Sequence, residues 1–193
     1  MLAIVFASYF GVANLTGRGP QIPTAHAYWA EYRWGGQPNP HVCCAQFYVY
    51  YNSVNNYPSY DRLAFDNGRA AWNNSPALTT LISTTAATPF HVSVYSMQSD
   101  GMDGHTNWQV SGTTPLGATS WVNDFFLAGY STAARQSVAA HELGHGQGLG
   151  DITGNFSCAN MMLMYYATNP RFYPSCGVNI PKSDDINGIN SMY

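Results

Sequence analysis

Apolar and polar positions alternate strictly over residues 90–95, FHVSVY, so the large apolar side chains fall on one side of an extended chain. A period of two residues is typical of a strand with one buried face. Dense aromatic and β-branched runs over residues 45–51 and 121–127 indicate two more strands. We expect these three segments to pair in a sheet.

Three other segments have the spacing and the capping residues of helices: residues 59–72, 131–146 and 183–193. Each begins at a serine, whose hydroxyl can accept a hydrogen bond from the first turn, and Thr132 is an alternative cap for the middle segment. The middle segment is rich in alanine, the residue of highest helix propensity. Residues 149–181 are loop-like, with several Gly, Asn and Pro. This order of elements predicts an α+β or α/β domain with one mixed sheet.

The first 42 residues differ in composition from the rest. Residues 2–15 are mostly apolar, and residues 25–27, Ala-His-Ala, have the form of a signal-peptidase site, although no Lys or Arg precedes the apolar run. We predict an export signal and linker over residues 1–42 and one domain over residues 43–193. The alternative is that the apolar run is a tail of the mature domain.

Charge is sparse along the whole chain. Charged residues make up only 9% of the 193 residues, and the net charge is −3. No basic surface is available for nucleic acid or an anionic membrane, so neither is a predicted partner. The length suits one domain with its own core. We predict a secreted, extracellular monomer with no membrane contact in its mature form.

The four cysteines are an even number, which suits an oxidising compartment. They lack the CxxC spacing of a structural zinc site. A bridge between Cys158 and Cys176 is favoured because it would close a loop of about twenty residues. Cys43 and Cys44 would then be an adjacent pair, either bridged or reduced. Pairing of each with a C-terminal cysteine is the alternative.

Residues 141–145, HELGH, form an HExxH motif at the end of the Ala-rich helix. Positions i and i+4 share one face of a helix, so the imidazoles of His141 and His145 can reach one metal ion. Glu142 points aside and can accept a proton from water without being a ligand. Catalytic zinc takes three protein ligands of this kind and keeps one position for water.

A third ligand is expected shortly after the motif. Gly148 follows His145 by three residues and can adopt the positive φ that turns the chain back towards the metal. Asp151 comes three residues later, and a carboxylate oxygen is an accepted zinc donor. We therefore predict His141, His145 and Asp151 as the metal ligands.

The segment HELGHGQGLGD is similar to the HExxHxxGxxH signature of the metzincin zinc proteases, with Asp151 in place of the third His. Proteases of the snapalysin type carry the same Asp, and residues 183–193 resemble the closing helix of matrixins. The resemblance covers about residues 43–193. It implies a metzincin-like α+β fold: a twisted mixed sheet, an active-site helix with zinc on the two histidines and the aspartate, and a short C-terminal subdomain.

Residues 158–166, CANMMLMYY, resemble the methionine turn that lies beneath the zinc site of metzincins. Met162 fits the spacing from Cys158, whereas Met164 fits the Leu-Met-Tyr pattern of matrixins, and Met162 is narrowly favoured. Cys176 resembles the second cysteine of the snapalysin disulfide.

Matrixins also carry calcium and a second, structural zinc in a loop that corresponds to residues 99–105, SDGMDGH. Asp100, Asp103 and His105 would supply oxygen and nitrogen ligands for such an ion. A turn between strands explains the same residues and is the favoured interpretation.

The resemblance implies a zinc-dependent endopeptidase that hydrolyses peptide bonds in extracellular proteins or peptides. Glu142 would be the general base, acting on zinc-activated water. Substrate would pair with an edge strand, for which residues 105–110 are suggested. The alternative is a catalytically inactive secreted zinc-binding module, which is disfavoured because Glu142 is present. A non-catalytic adhesion protein, the third hypothesis, would bind no zinc.

Overall fold

The structure, a computed structural model, describes residues 45–51, 56–111, 114–172 and 176–193. The predicted N-terminal segment over residues 1–42, the predicted start of the domain, and Cys43 and Cys44 lie outside these ranges. No helix in the described ranges is long and apolar enough to cross a bilayer.

A five-stranded sheet forms the centre of the fold. The first four strands in spatial order run parallel to one another, and the fifth is an antiparallel edge strand. This mixed sheet with flanking helices confirms the predicted α+β fold, and the suggested edge strand over residues 105–110 lies within β4. In spatial order the strands are β2 (Thr79–Thr84), β1 (Ala45–Tyr51), β3 (Phe90–Tyr95), β5 (Thr114–Asn123) and β4 (Gly104–Ser111).

The three predicted helices are present, and each end lies within one residue of its predicted position. Two further helices of four residues each, α2 and α4, were not predicted. The helices are α1 (Ser59–Asn73), α2 (Asp124–Leu127), α3 (Thr132–Gly146), α4 (Thr168–Arg171) and α5 (Ser183–Met192).

The strand predicted over residues 121–127 is wrong in its second half, because β5 ends at Asn123. The side chain of Asn123 accepts a hydrogen bond from the backbone N–H of Phe125 and caps α2. Its amide also donates to the carbonyls of Met97 at 2.7 Å and Met102 at 2.8 Å. A side chain that bonds the backbone locally favours a cap over continued strand.

One predicted helix cap is confirmed and two are wrong. The hydroxyl of Ser131 accepts from the backbone N–H of Ala134 at 3.2 Å, as predicted for α3. The serines that begin α1 and α5 are the first helical residues, and the cap positions are Pro58 and Lys182. The N–H of Lys182 donates instead to the Asp185 carboxylate at 2.7 Å.

Close packing between α1 and α3 fixes the helix that carries the HExxH motif. A β-carbon at Gly68 would lie 2.8 Å from the backbone nitrogen of Ala140, so the two helices approach backbone to backbone. The indole of Trp72, fully buried, donates to the carbonyl of Ala140 at 2.8 Å. Both contacts are made one residue before His141.

We expect Gly68→Ala to destabilise the protein by about 1–3 kcal/mol, because the new methyl group meets backbone that cannot move aside. The higher helix propensity of alanine, worth about 1 kcal/mol, acts in the opposite direction. Urea unfolding measures the change. Gly129→Ala is the matched control, because a β-carbon there has its nearest neighbour at 3.8 Å. Equal stability of the two variants would contradict the packing argument.

Candidate metal centre

The last turns of α3 bring two imidazoles together. His141 and His145 are one helical turn apart, and their Nε2 atoms lie 3.0 Å from each other. The side chain of His141 is 5% exposed and that of His145 is 18% exposed. The structure therefore places both predicted ligands at one point on the buried side of the helix.

A sharp turn after α3 carries Asp151 to the same point. Gly148 has a φ of 107°, as its position in the motif predicts. The backbone N–H of Leu149 donates back to the carbonyl of Gly144 at 3.1 Å, which closes the turn. The Oδ1 atom of Asp151 then lies 3.3 Å from the Nε2 atoms of both histidines.

The three donor atoms fit one face of a zinc tetrahedron. Donors about 2.0–2.1 Å from a tetrahedral zinc lie roughly 3.4 Å from one another. The observed separations are 3.0 Å between the two Nε2 atoms and 3.3 Å from each to the carboxylate oxygen. Among the described residues, His141, His145 and Asp151 are the only group of three or more potential ligands that converge in this way.

The other nitrogen of each imidazole is held by a backbone carbonyl. The Nδ1 atom of His141 is 2.8 Å from the carbonyl oxygen of Leu163, and that of His145 is 2.8 Å from the carbonyl oxygen of Leu149. With a proton on Nδ1 donated to the carbonyl, each Nε2 presents a lone pair towards the shared point. This arrangement is the usual orienting contact of a metal-binding histidine.

His145 and Asp151 are strongly coupled. Burial lowers the pKa of His145, but the charge of the Asp151 carboxylate outweighs burial and raises it to about 9. Burial would raise the pKa of Asp151, but the imidazoles, His145 foremost, hold it well below its usual range. Without metal, His145 is therefore protonated at neutral pH, and its positive charge balances the negative charge of Asp151.

A buried arginine lies behind His141. Arg171 is 1% exposed, and its Nη1 atom lies 2.8 Å from His141 Nδ1 and 2.7 Å from the carbonyl of Tyr165. Burial, followed by the charge of this guanidinium, lowers the pKa of His141 to about 4. His141 is therefore neutral, the form in which an imidazole binds metal.

Met164, and not Met162, lies against the ligand-bearing helix. Met164 is fully buried, and a β-carbon at Gly144 would clash with its sulfur atom, whereas Met162 is only half-buried. Of the two candidates, Met164 is thus the methionine that packs against the helix carrying His141 and His145, which favours it over Met162.

Two further contacts hold this turn in place. The carboxylate of Asp185, on α5, accepts from the backbone N–H groups of Leu163 and Met164, both at 3.0 Å. The predicted disulfide between Cys158 and Cys176 is present. The segment beneath the two histidines is thus attached to the C-terminal part of the chain at both of its ends.

Glu142 lies beside the histidines but outside the ligand group. It is 4% exposed, and its Oε2 atom is 2.9 Å from the hydroxyl of Thr106 on β4. Burial raises the pKa of Glu142 to about 7. A carboxylate of this pKa can both accept and return a proton near neutral pH.

The residues considered as calcium or second-zinc ligands have other partners, Asp100 and Asp103 in the loop before β4 and His105 in the sheet. Oδ1 of Asp100 accepts from the backbone N–H of Met102 at 3.0 Å, and Oδ2 of Asp103 accepts from the Tyr130 hydroxyl at 3.2 Å. The imidazole of His105 stacks on the indole of Trp121. These contacts support the turn that the sequence favoured.

Three residues of the site were not found from the sequence: Thr106, Arg171 and Asp185. Thr106 contacts Glu142 across 36 positions, and Arg171 contacts His141 across 30. Asp185 contacts Leu163 and Met164 across 22 and 21 positions. A local signal existed for none of these contacts, since each depends on how distant segments pack.

No protein-family model and no curated protein matches the chain. Solved structures that are similar to it include high choriolytic enzyme 1, a hatching enzyme zinc-protease from Oryzias latipes (medaka fish), with a TM-score of 0.49 and 14% identity over 83% of this chain and 93% of that one. A crystal structure of myroilysin has a TM-score of 0.48 and 11% identity over 95% of this chain and 99% of that one. Another myroilysin structure has a TM-score of 0.40 and 14% identity, and here the match spans 58% of this chain and only half, 50%, of that one. With TM-scores below 0.5 and identities below 15%, these similarities assign no role to any residue of the site.

Zinc binding at pH 7 should release about one proton from His145, because Asp151 raises the pKa of that imidazole above neutrality and the metal requires the neutral form. Calorimetric zinc titrations in two buffers of different ionisation enthalpy measure the released protons. Asp151→Asn removes the charge that raises the pKa, so this variant should release fewer protons. Proton release that is the same in both proteins would contradict the assigned coupling.

Proposed function

We propose that the protein is a zinc-dependent endopeptidase of the metzincin type, in which His141, His145 and Asp151 hold the metal and Glu142 is the general base. One observation carries the proposal: three donor atoms form a triangle of 3.0, 3.3 and 3.3 Å with a buried carboxylate alongside. The Asp in place of a third His makes the chain most similar to the snapalysin variant of the metzincin signature, and its closing helix α5 is the matrixin-like feature.

The residues divide the chemical work between them. Zinc held by these three residues would supply a Lewis acid, which lowers the pKa of bound water to about 7 and polarises a carbonyl. Glu142 takes the proton of the attacking water and passes it to the leaving amine. His141 and His145 are neutral donors, whereas Asp151 adds a negative charge. This charge would make a bound zinc ion a weaker Lewis acid than three histidines would.

Access to the metal is from the side of Asp151. Side-chain exposure rises from 5% at His141 through 18% at His145 to 49% at Asp151. A metal held by a buried pair of histidines and an exposed aspartate would be reached by water and substrate from the side of Asp151. This gradient supports a catalytic metal site, since structural zinc sites are closed by four protein ligands.

The edge strand β4 supports a peptide as the substrate. β4 pairs with β5 on one side and is the last strand of the described sheet, so its outer edge has backbone groups available for hydrogen bonding. An extended peptide can add to such an edge as a further strand. Thr106 contacts Glu142 from this strand, so a peptide paired along it would lie next to the metal site.

A location outside the cell is supported by the disulfide between Cys158 and Cys176. Disulfides persist in oxidising compartments and are rare in the cytosol. The proposed substrates are accordingly extracellular proteins or peptides. A monomeric state remains a prediction from the sequence.

Glu142→Gln should keep one zinc per chain and lose peptide hydrolysis by about 10²-fold or more, because the amide cannot accept the water proton. Metal analysis and cleavage of casein or a peptide library, with wild type in parallel, test both parts. Hydrolysis that survives in the variant would remove Glu142 from the mechanism. Stoichiometric zinc in a wild type that cleaves no peptide would favour the inactive zinc-binding module.

A further inference from the structure

We propose that Thr106 is a positioning residue for Glu142, holding one oxygen of the general base from the strand that binds substrate. Its hydroxyl oxygen lies 2.9 Å from Oε2 and 3.0 Å from the backbone carbonyl oxygen of Glu142. No described residue makes a hydrogen bond to the other carboxylate oxygen, Oε1. The inference rests on the proposed function, since it concerns how the same base is oriented.

The space around the Glu142 side chain is shaped by the same strand. Gly104 and Thr106 are two positions apart on β4, so they face the same side of the sheet. A β-carbon at Gly104 would lie 2.9 Å from both Cγ and Oε1 of Glu142, and 2.9 Å from a methyl carbon of Val138. The carboxylate therefore packs against β4 at two positions. The missing side chain of Gly104 leaves room for it, and the hydroxyl of Thr106 contacts it.

Ser120 leaves the Thr106 proton available for the carboxylate. The hydroxyl of Ser120, on β5, donates to the carbonyl of Glu142 at 2.8 Å. The carbonyl already has a partner, and a charged acceptor forms the stronger bond. The Thr106 hydroxyl also lies 3.0 Å from the Ser120 hydroxyl oxygen, but the charged Oε2 at 2.9 Å is the stronger acceptor for its single proton when Glu142 is ionised.

A hydroxyl can keep this contact through the whole proton cycle. After Glu142 has taken the water proton on Oε1, from which it can be passed to the leaving amine, the Thr106 hydroxyl can still donate to Oε2 at 2.9 Å or to the carbonyl of Glu142 at 3.0 Å. No atoms are gained or lost other than the proton that Glu142 carries. A methyl group in the same place can make neither bond, so the carboxylate would be free to rotate away from the water.

Thr106→Val and Thr106→Ser form a matched pair, because valine keeps the shape and loses the hydroxyl, whereas serine keeps the hydroxyl. In the zinc-loaded protein we expect valine to lower kcat by about tenfold, a part of the 10²–10⁴ that a positioned general base contributes. KM should stay within about twofold, because the strand backbone that pairs with substrate is unchanged. Serine should restore kcat to near the wild-type value.

A second measurement tests the hydrogen bond without metal or substrate. The chain has only two glutamates, Glu31 and Glu142. Labelling of the side-chain carboxyl carbon with ¹³C therefore gives two NMR signals, and the one that disappears in Glu142→Gln belongs to Glu142. In the metal-free protein the Glu142 signal of Thr106→Val should move away from its wild-type position, and that of Thr106→Ser should not. Thr106→Ala replaces the valine variant if the latter does not fold.

Equal losses of kcat in the serine and valine variants, a rise in KM in place of the fall in kcat, or an unmoved Glu142 signal in the valine variant would each overturn the proposal. If wild type shows no zinc-dependent peptidase activity, the proposed function fails, whereas the carboxyl signal still decides whether Thr106 holds Glu142. The two failures are therefore distinguishable.

Discussion

Two imidazole nitrogens and one carboxylate oxygen face one another at 3.0–3.3 Å at the end of α3. Three lone pairs at this distance repel unless a cation lies among them, so the arrangement depends on a bound proton or metal. The carbonyls of Leu163 and Leu149 fix the far side of each ring and prevent the rings from turning away. The surrounding fold keeps these three atoms together.

The loop beneath the histidines is held by two buried charges of opposite sign. Arg171 donates to the carbonyl of Tyr165 at 2.7 Å, and Asp185 accepts from the N–H groups of Leu163 and Met164 at 3.0 Å. Backbone groups buried outside regular structure need such partners. The same loop supplies the carbonyl that orients His141, so the two charged side chains help to determine where the metal ligand points.

The sheet contributes the rest of the site through its antiparallel edge. β4 brings Thr106 to Glu142, while β5 brings Ser120 to the carbonyl of the same residue. Packing of α1 at Gly68 fixes the opposite side of α3. Glu142, the proposed general base, is thus held between the strand proposed for substrate and a helix whose position is set by close backbone contact.

Much of the centre could be predicted because it is local in sequence. His141, His145 and Asp151 are related by one helical turn and one tight turn at Gly148, and both are encoded within eleven residues. The strand predicted over residues 121–127 failed because the cap made by Asn123 depends on carbonyls that come from another loop.

The strand β2, TTLIST, has few large apolar residues and was not predicted. Its pairing with β1 is visible only once the sheet has formed. Thr106, Arg171 and Asp185 were missed for the same reason: each acts through a contact that spans at least 21 positions of the chain. Local pattern therefore predicts the three proposed ligands, whereas packing determines which residues hold them.

Zinc K-edge X-ray absorption of the loaded protein, with Asp151→Ala in parallel, tests the central claim most directly. The account predicts one zinc per wild-type chain, with two imidazole nitrogens at about 2.0–2.1 Å and oxygen donors at about 2.0–2.2 Å. It also predicts much weaker zinc binding in the variant. Failure of wild type to bind stoichiometric zinc, a spectrum with fewer than two imidazoles, or unchanged zinc affinity in Asp151→Ala would contradict it.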